Sequence, residues 1–389
     1  MSKKTLVMLV GAIAGTVKCA DLHAQSNSRF DLGNFVIVRA GDGSTTLSSN
    51  AARVDLVEFG LSGTTYTAYD TVTLPSATTG GNNLGNVTLS GSATSDGGVS
   101  LSSNGAFITL GGYDAQLGSA SVSGTTSTTA NRVVATVAVS NLAVSVNPKL
   151  TDSSFSGDNF RSVASDGTRF YLSGNASATA NRGVRYAATS SATASTQIIN
   201  ANTRQVRLVN GRAVYASASG ISYSSSASPT TADAAPIALT LSAAVSDTGQ
   251  FVFFDRSSTV GVSDLGGVDT LYVVDGSAVR KYEYSGTGTN WTSRGSFTTA
   301  ASAFGLAGAV TTSGVQLVAV AKTASDNAIY ALLDSVAFGG TVSGSMTSVA
   351  TAGANFTFKG VEYVPEPGTL SLLALGTLPI LRRRQRTRA

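Results

Sequence analysis

Carboxylates are the groups of this chain with the most scope for chemistry, because its thiol and imidazole are confined to one end. The 389 residues include a single cysteine, Cys19, and a single histidine, His23. If the first 24 residues are removed, the rest has neither. Cysteine nucleophiles, histidine bases, Ser-His-Asp triads, His- or Cys-ligated zinc and disulfides are then excluded. What remains is chemistry by Asp and Glu. Two carboxyl groups roughly 5–10 Å apart can hydrolyse a glycosidic bond without histidine. The glutamates available are Glu58, Glu283, Glu362 and Glu366. Asp55 and Glu58 are close in sequence, but residues three apart in a strand face opposite sides. No spacing marks a pair, so no catalytic residue is assigned. The main reading is a non-enzymatic protein; the alternative is a secreted carbohydrate-active enzyme that uses carboxylates alone.

Asp-Gly pairs recur in Gly41-Asp42-Gly43, Asp96-Gly97, Asp166-Gly167 and Asp275-Gly276. Loops of this kind can ligate calcium, but none has the alternating acidic spacing of an EF-hand. Asp also caps turns with its own side chain, and that reading is preferred, with no metal and no cofactor. Phe170-Tyr171, Tyr282 and Tyr284 could stack on sugars or pack in a core, and packing is preferred. Tyr282 and Tyr284 point to one face of a strand, Lys281 and Glu283 to the other, the pattern of a half-buried strand. Trp291, the sole tryptophan, could anchor a core or a ligand. The sequons at Asn175, Asn290 and Asn355 are matches expected by chance in a chain so rich in Ser and Thr.

The elements at the two ends are of another kind. Lys3 and Lys4 precede an apolar stretch, Leu6 to Ala14, and a more polar segment to Ala24, the order of a secretory signal peptide. Cleavage after Ala24 is preferred to cleavage after Ala14. A lipobox at Cys19 is disfavoured by Lys18. At the other end stand Val364-Pro-Glu-Pro-Gly-Thr369, an apolar run from Leu370 to Leu381, and Arg382, Arg383, Arg384 and Arg386. A helix over Leu370–Leu381 is about 18 Å long, short of the ~30 Å hydrocarbon core, and the arginines favour the cytoplasmic side. Pro365 and Pro367 hold the preceding strip extended, with Glu366 between them.

This tail resembles the PEP-CTERM sorting signal of Gram-negative bacteria over Val364–Arg388, through Pro365, Glu366 and Pro367, the short apolar run, and Arg382, Arg383 and Arg384. The resemblance implies recognition by an exosortase-type transpeptidase, transient association with the inner membrane, removal of the tail, and delivery to the cell surface or an exopolysaccharide matrix. An ordinary C-terminal membrane anchor is the alternative. The whole-chain pI of about 9.2 then misleads. Lys3, Lys4 and Lys18 leave with the leader together with Asp21, and five arginines leave with the tail. The 26 basic and 22 acidic residues of the chain become 18 and 21, and no basic surface for nucleic acid is expected.

Between the ends, 30–363 form the body, bounded by a signal helix (1–24) and a sorting segment (364–389) with a short apolar helix. The body is expected to be all-β. Phe35-Val-Ile-Val38, Val133–Val139, Phe251-Val-Phe-Phe254, Leu271-Tyr-Val-Val274 and Leu317-Val-Ala-Val320 are short β-branched or aromatic runs between turn residues. Hairpins recur at Val99–Leu110, Arg161–Leu172, Gln205–Tyr215, Asp269–Tyr284 and Ala309–Val320, several turning on Asn-Gly or Asp-Gly. Their recurrence at intervals near 40 residues resembles a secreted β-propeller of about seven blades. A β-solenoid or tandem β-sandwiches are the alternatives. Phe356–Tyr363 is expected to close the ring by pairing near Phe35–Arg39. The reading is an exported binding or structural protein, with exopolysaccharide or surface proteins as partners.

Overall fold

The structure, a computed structural model, describes residues 28–366 apart from 63–64, 78–84, 219 and 322–326. Ala24, Pro367 and Arg382–Arg384 lie outside the described residues, and so do both terminal helices expected from the sequence; Pro365 and Glu366 lie inside. Among the described residues the regular elements are strands and three short 3-10 turns, at Val122–Gly124, Thr179–Asn181 and Ser263–Leu265. The chain is a β-propeller, built from antiparallel sheets whose first strands touch one another in a closed circle.

The ring has six blades, not about seven. Their innermost strands are Phe356–Tyr363, Val99–Leu101, Phe160–Ser165, Thr203–Val209, Thr248–Phe254 and Ala303–Thr311, in the first to sixth blade respectively. Seven follows from dividing the body by a blade of about 45 residues, and long connections such as 255–269 make the blades longer than that. In the second, third, fourth and sixth blades the expected hairpin joins the first strand to the next. In the fifth, the Asp275-Gly276 hairpin joins Thr270–Asp275 to Ala278–Tyr284, and a long segment, 255–269, precedes it. The fourth blade shows the local cause of these turns. Asn210 and Gly211 have φ of 48° and 76°, the two positive values that match a two-residue turn to the twist of its strands.

Closure follows the expected pairing. Phe356–Tyr363 runs antiparallel to Phe35–Gly41, with Phe35 opposite Tyr363 and Arg39 opposite Phe358. Val54–Ser62 and Thr65–Thr73 complete this blade. One blade is therefore shared by the two ends of the body. Gly33 N donates to Val364 O (2.7 Å) and Val364 N to Asn34 O (2.9 Å), so the chain enters and leaves the ring side by side, on one face.

Six apolar clusters fill the six blade interfaces. Alternate residues of one strand serve different interfaces: Leu271 and Val273 pack against the fourth blade, Tyr272 and Val274 against the sixth. A blade with neighbours on both faces needs apolar residues at consecutive positions, which is why the strands read as runs. The same geometry corrects the reading of Ala278–Tyr284. Lys281, Tyr282 and Glu283 are all fully buried, so this strand is covered on both faces. Phe170, Tyr171 and Tyr282 are buried packing residues. Trp291 is a core residue whose ring lies 5.7 Å from Phe253 and 5.8 Å from Tyr284.

Because the innermost strand of the first blade comes from the C-terminal end, two truncations should behave oppositely. A chain ending at Glu366 is expected to melt cooperatively as the intact body does. A chain ending at Asn355 lacks that strand and is expected to lose cooperative unfolding and to be cleaved rapidly by protease. Circular dichroism melts and limited proteolysis of the pair decide it.

Candidate functional site

A propeller's axis is the natural place for a site, and here it is closed. At the narrowest layer the inner strands contribute Gly98, Ser162, Gln205, Gln250, Gly305 and Gly360. The glycines sit where backbones nearly touch: a Cβ on Gly360 would lie 2.4 Å from Gly97 O, and one on Gly305 would lie 2.8 Å from Lys359 O. The space left is filled by Gln250, which is fully buried. Its Oε1 accepts from Leu306 N (3.1 Å) and Val361 N (3.0 Å), and its Nε2 donates to Val99 O (3.0 Å). One side chain thus joins the fifth blade to the sixth, first and second. Gln205 Oε1 accepts from Phe251 N (2.8 Å), and Ser162 Oγ from Val206 N (2.9 Å).

Ion pairs flank this layer on both sides. Towards the end where the inner strands begin, Lys359 Nζ meets Asp96 Oδ1 (2.9 Å), Ser90 O (3.0 Å) and Ala93 O. Towards the other end, Arg207 of the fourth blade reaches Glu362 of the first at 2.8 Å. These carboxylates are each held by a cation and separated by the glutamine layer. Among the described residues no two acids face each other at the axis without a cation between them.

The sequence candidates are dispersed. Asp55 binds Arg39 (2.8 Å), Arg53 (3.0 Å) and Thr73 (2.9 Å). Glu58 turns the other way and accepts from Asp31 N (2.8 Å) and Asn34 Nδ2 (2.6 Å). Glu283 does approach a second carboxylate, Asp334, through Lys281, but all three are fully buried, out of reach of a polysaccharide. Glu366 is exposed beyond the closing strand. The Asp-Gly aspartates divide. Asp42 accepts from Ser44 N and Thr45 N, and Asp166 from Thr168 N and Arg169 N, which is turn chemistry. The Thr45 and Ser44 amides hold the Asp42 carboxyl well below the usual carboxylate range. Asp96 and Asp275 instead tie distant segments, Asp275 accepting from Ser246 N and Asp247 N. Among the described residues no group of three or more acidic, His or Cys side chains is arranged to hold a metal ion.

An open cavity of about 330 Å³ lies at the far end of strand Phe35–Gly41, on the face opposite the chain ends. The segment 42–50 forms one wall, Ala51–Arg53 the floor, and Leu117-Gly118 of the second blade the other side. Thr45, Thr46, Ser48 and Asn50 offer hydroxyl and amide groups, Arg53 a guanidinium, and Leu47 and Leu117 apolar surface. Its size is at the lower end of small-molecule sites, about 300–1,000 Å³. Sequence reading passed over it because its residues are ordinary loop residues, brought to Leu117 by backbone bonds across the blades (Ala51 N to Ser119 O, 2.9 Å; Gly118 N to Ala51 O, 2.9 Å).

The comparisons with known proteins give fold likeness alone. No protein-family model matches the chain, and no curated protein matches it by sequence. Among solved structures, a nidogen/laminin complex is 9% identical with a TM-score of 0.48, over 84% of this chain and 97% of that one. A functionally unknown protein from Desulfotomaculum acetoxidans DSM 771 is 13% identical, TM-score 0.38, over 85% and 90%. A putative 6-phosphogluconolactonase from Bacteroides uniformis ATCC 8492 is 11% identical, TM-score 0.39, over 84% and 99%. None reaches a TM-score of 0.5, and no function is carried over. The class is set by the fold itself, a six-bladed β-propeller suited to a binding or structural role.

Glu58 supplies a pH test of the packing where the chain enters the ring. Burial, together with the charges of Asp31 and Asp70, raises its carboxyl above the ordinary 4.5 despite the Asn34 and Asp31 hydrogen bonds. An acid raised in the fold favours folding most when protonated, so its contribution is present below the ordinary value and lost as pH climbs through the raised one. Glu58→Gln keeps the acceptor and removes the charge. It is expected to stabilise the protein at neutral pH, with the gain vanishing in acid, where the Glu58 carboxyl is protonated in both the folded and the unfolded chain. Thermal melts across pH measure it; destabilisation at pH 7 would contradict it.

Proposed function

We propose that this protein is an exported, non-enzymatic binding propeller of a bacterial surface or exopolysaccharide matrix. The leader ending at Ala24 directs export. The tail, with Pro365, Glu366 and Pro367 followed by the apolar run and Arg382–Arg384, holds the chain at the inner membrane until an exosortase-type transpeptidase removes it. The observation that carries the reading is one of polarity. Both chain ends leave the ring on one face, and the cavity opens on the other. A body tethered or delivered by its tail would turn the cavity outwards. Hydroxyl, amide and guanidinium groups beside Leu47 and Leu117 suit a saccharide unit, which presents hydroxyls on its edge and C–H groups on its faces. The closed axis speaks against a carbohydrate-active enzyme with an axial acid pair.

The experiment joins two measurements. Residues 28–366, titrated with neutral and acidic bacterial polysaccharides in a calorimeter, are expected to bind at least one. Thr46→Trp, which fills the cavity, is expected to weaken that binding by ~10-fold or more, about 1.4 kcal/mol, with the circular dichroism unchanged. Absence of binding across the panel, or binding indifferent to the filled cavity, would reject the site. In the host, mature protein that still carries Arg382–Arg384 by intact mass would reject the sorting.

A further inference from the structure

The interface between the fifth and sixth blades holds a fully buried group of one lysine and two carboxylates. Lys281, in the third strand of the fifth blade, and Asp334, at the end of the third strand of the sixth (Ala328–Asp334), are fully buried, as is Glu283. Lys281 Nζ lies 3.0 Å from Asp334 Oδ2 and 3.4 Å from Glu283 Oε1. The other buried lysine makes a useful contrast. Lys359 is a saturated ammonium, with two carbonyls and Asp96 as acceptors. Lys281 Nζ makes no hydrogen bond of regular geometry with any group, so it faces the carboxyl of Asp334 without being locked as a donor. Its neighbours are held instead. Glu283 Oε2 accepts from Arg294 Nε (2.7 Å) and Gly339 N (2.7 Å), which leaves Oε1 towards Lys281. Tyr272 donates its phenol hydrogen to Asp334 Oδ2. Arg256 stands 3.9 Å from the same oxygen.

We propose that Lys281 and Asp334 form an intramolecular isopeptide bond, with Glu283 as the proton-transfer group. The balance closes without an oxidant or co-reactant. Within the ion pair one proton passes from the ammonium to the carboxylate, leaving an amine and a carboxylic acid. The Nζ lone pair attacks Cγ of Asp334. Glu283 takes a proton from Nζ and returns it to the departing oxygen. One C–O bond breaks, one C–N bond forms, and one water leaves. The proton goes to Oδ2, the nearer oxygen, which departs. Val336 N donates to Oδ1 (2.9 Å), the oxygen that gathers charge in the tetrahedral intermediate, as an oxyanion-hole donor does. Tyr272, whose phenol burial holds well above its usual range, stays protonated and donates to the departing Oδ2. Two conditions favour the step. The amine and carboxyl are fixed at contact distance, which can be worth effective molarities of about 10⁵–10⁸ M. The product replaces two desolvated charges with a neutral amide, and unsolvated charge is what makes a buried ion pair costly. The bond would staple neighbouring blades in a body that has no cysteine for a disulfide.

Mass spectrometry of the wild-type protein tests it without a variant that must fold. Peptide mapping is insensitive to trimming at either end. A digest of denatured protein is expected to contain a branched peptide that joins the Lys281 and Asp334 segments, lighter than their sum by one water. Lys281→Arg is expected to abolish the branched peptide. Glu283→Gln is expected to yield the two linear peptides while circular dichroism still reports a folded ring. Wild-type protein in which both segments appear only as linear, full-mass peptides would overturn the bond. A branched peptide that persists in Glu283→Gln would overturn the role given to Glu283.

Discussion

The fold depends on a crowded axis. Six inner strands converge so closely that three of them need glycine at the narrowest layer, and the space that remains is filled by the amide of Gln250. Hydrogen bonds from one side chain to three other blades are a strong constraint, because each of those backbone groups is buried and would otherwise be unsatisfied. The arrangement ties the closing strand, through Val361, to the fifth blade, past the sixth that lies between them. It therefore works with the pairing of Phe356–Tyr363 and Phe35–Gly41, which alone would leave that blade held at one seam.

A closed axis moves function elsewhere. The ends of the inner strands are occupied by Lys359 with Asp96 and by Arg207 with Glu362, so the acids nearest the axis are engaged in holding the ring. At the rim cavity beside 42–50, polar side chains of the first blade face solvent beside Leu117 and Gly118 of the second. The cavity lies opposite the face on which the chain enters and leaves the ring.

Much of the architecture was legible because turns and strands are local. Asn210-Gly211 announces a hairpin by its backbone requirement, and Phe356–Tyr363 by its alternation beside the tail. The blade number was not, because one blade length of about 45 residues takes no account of long connections such as 255–269. A better signal was present: a small or amide residue followed by an apolar one, in Gly98-Val99, Ser162-Val163, Gln205-Val206, Gln250-Phe251, Gly305-Leu306 and Gly360-Val361, one pair per blade. Lys281 and Glu283 were misread for a related reason. Alternation tells which residues share a face, but not that both faces are covered. The cavity was illegible because Ala51 and Leu117 meet only through tertiary pairing.

Gln250 holds the ring closed at its axis. Gln250→Leu keeps the side chain's bulk and removes both its acceptor and its donor, which leaves Leu306 N, Val361 N and Val99 O without partners. Urea denaturation of this variant beside the parent is the direct measurement. A loss of about 3–6 kcal/mol is predicted from three buried, unsatisfied groups. A variant within about 0.5 kcal/mol of the parent, the range of an inert surface change, would contradict it.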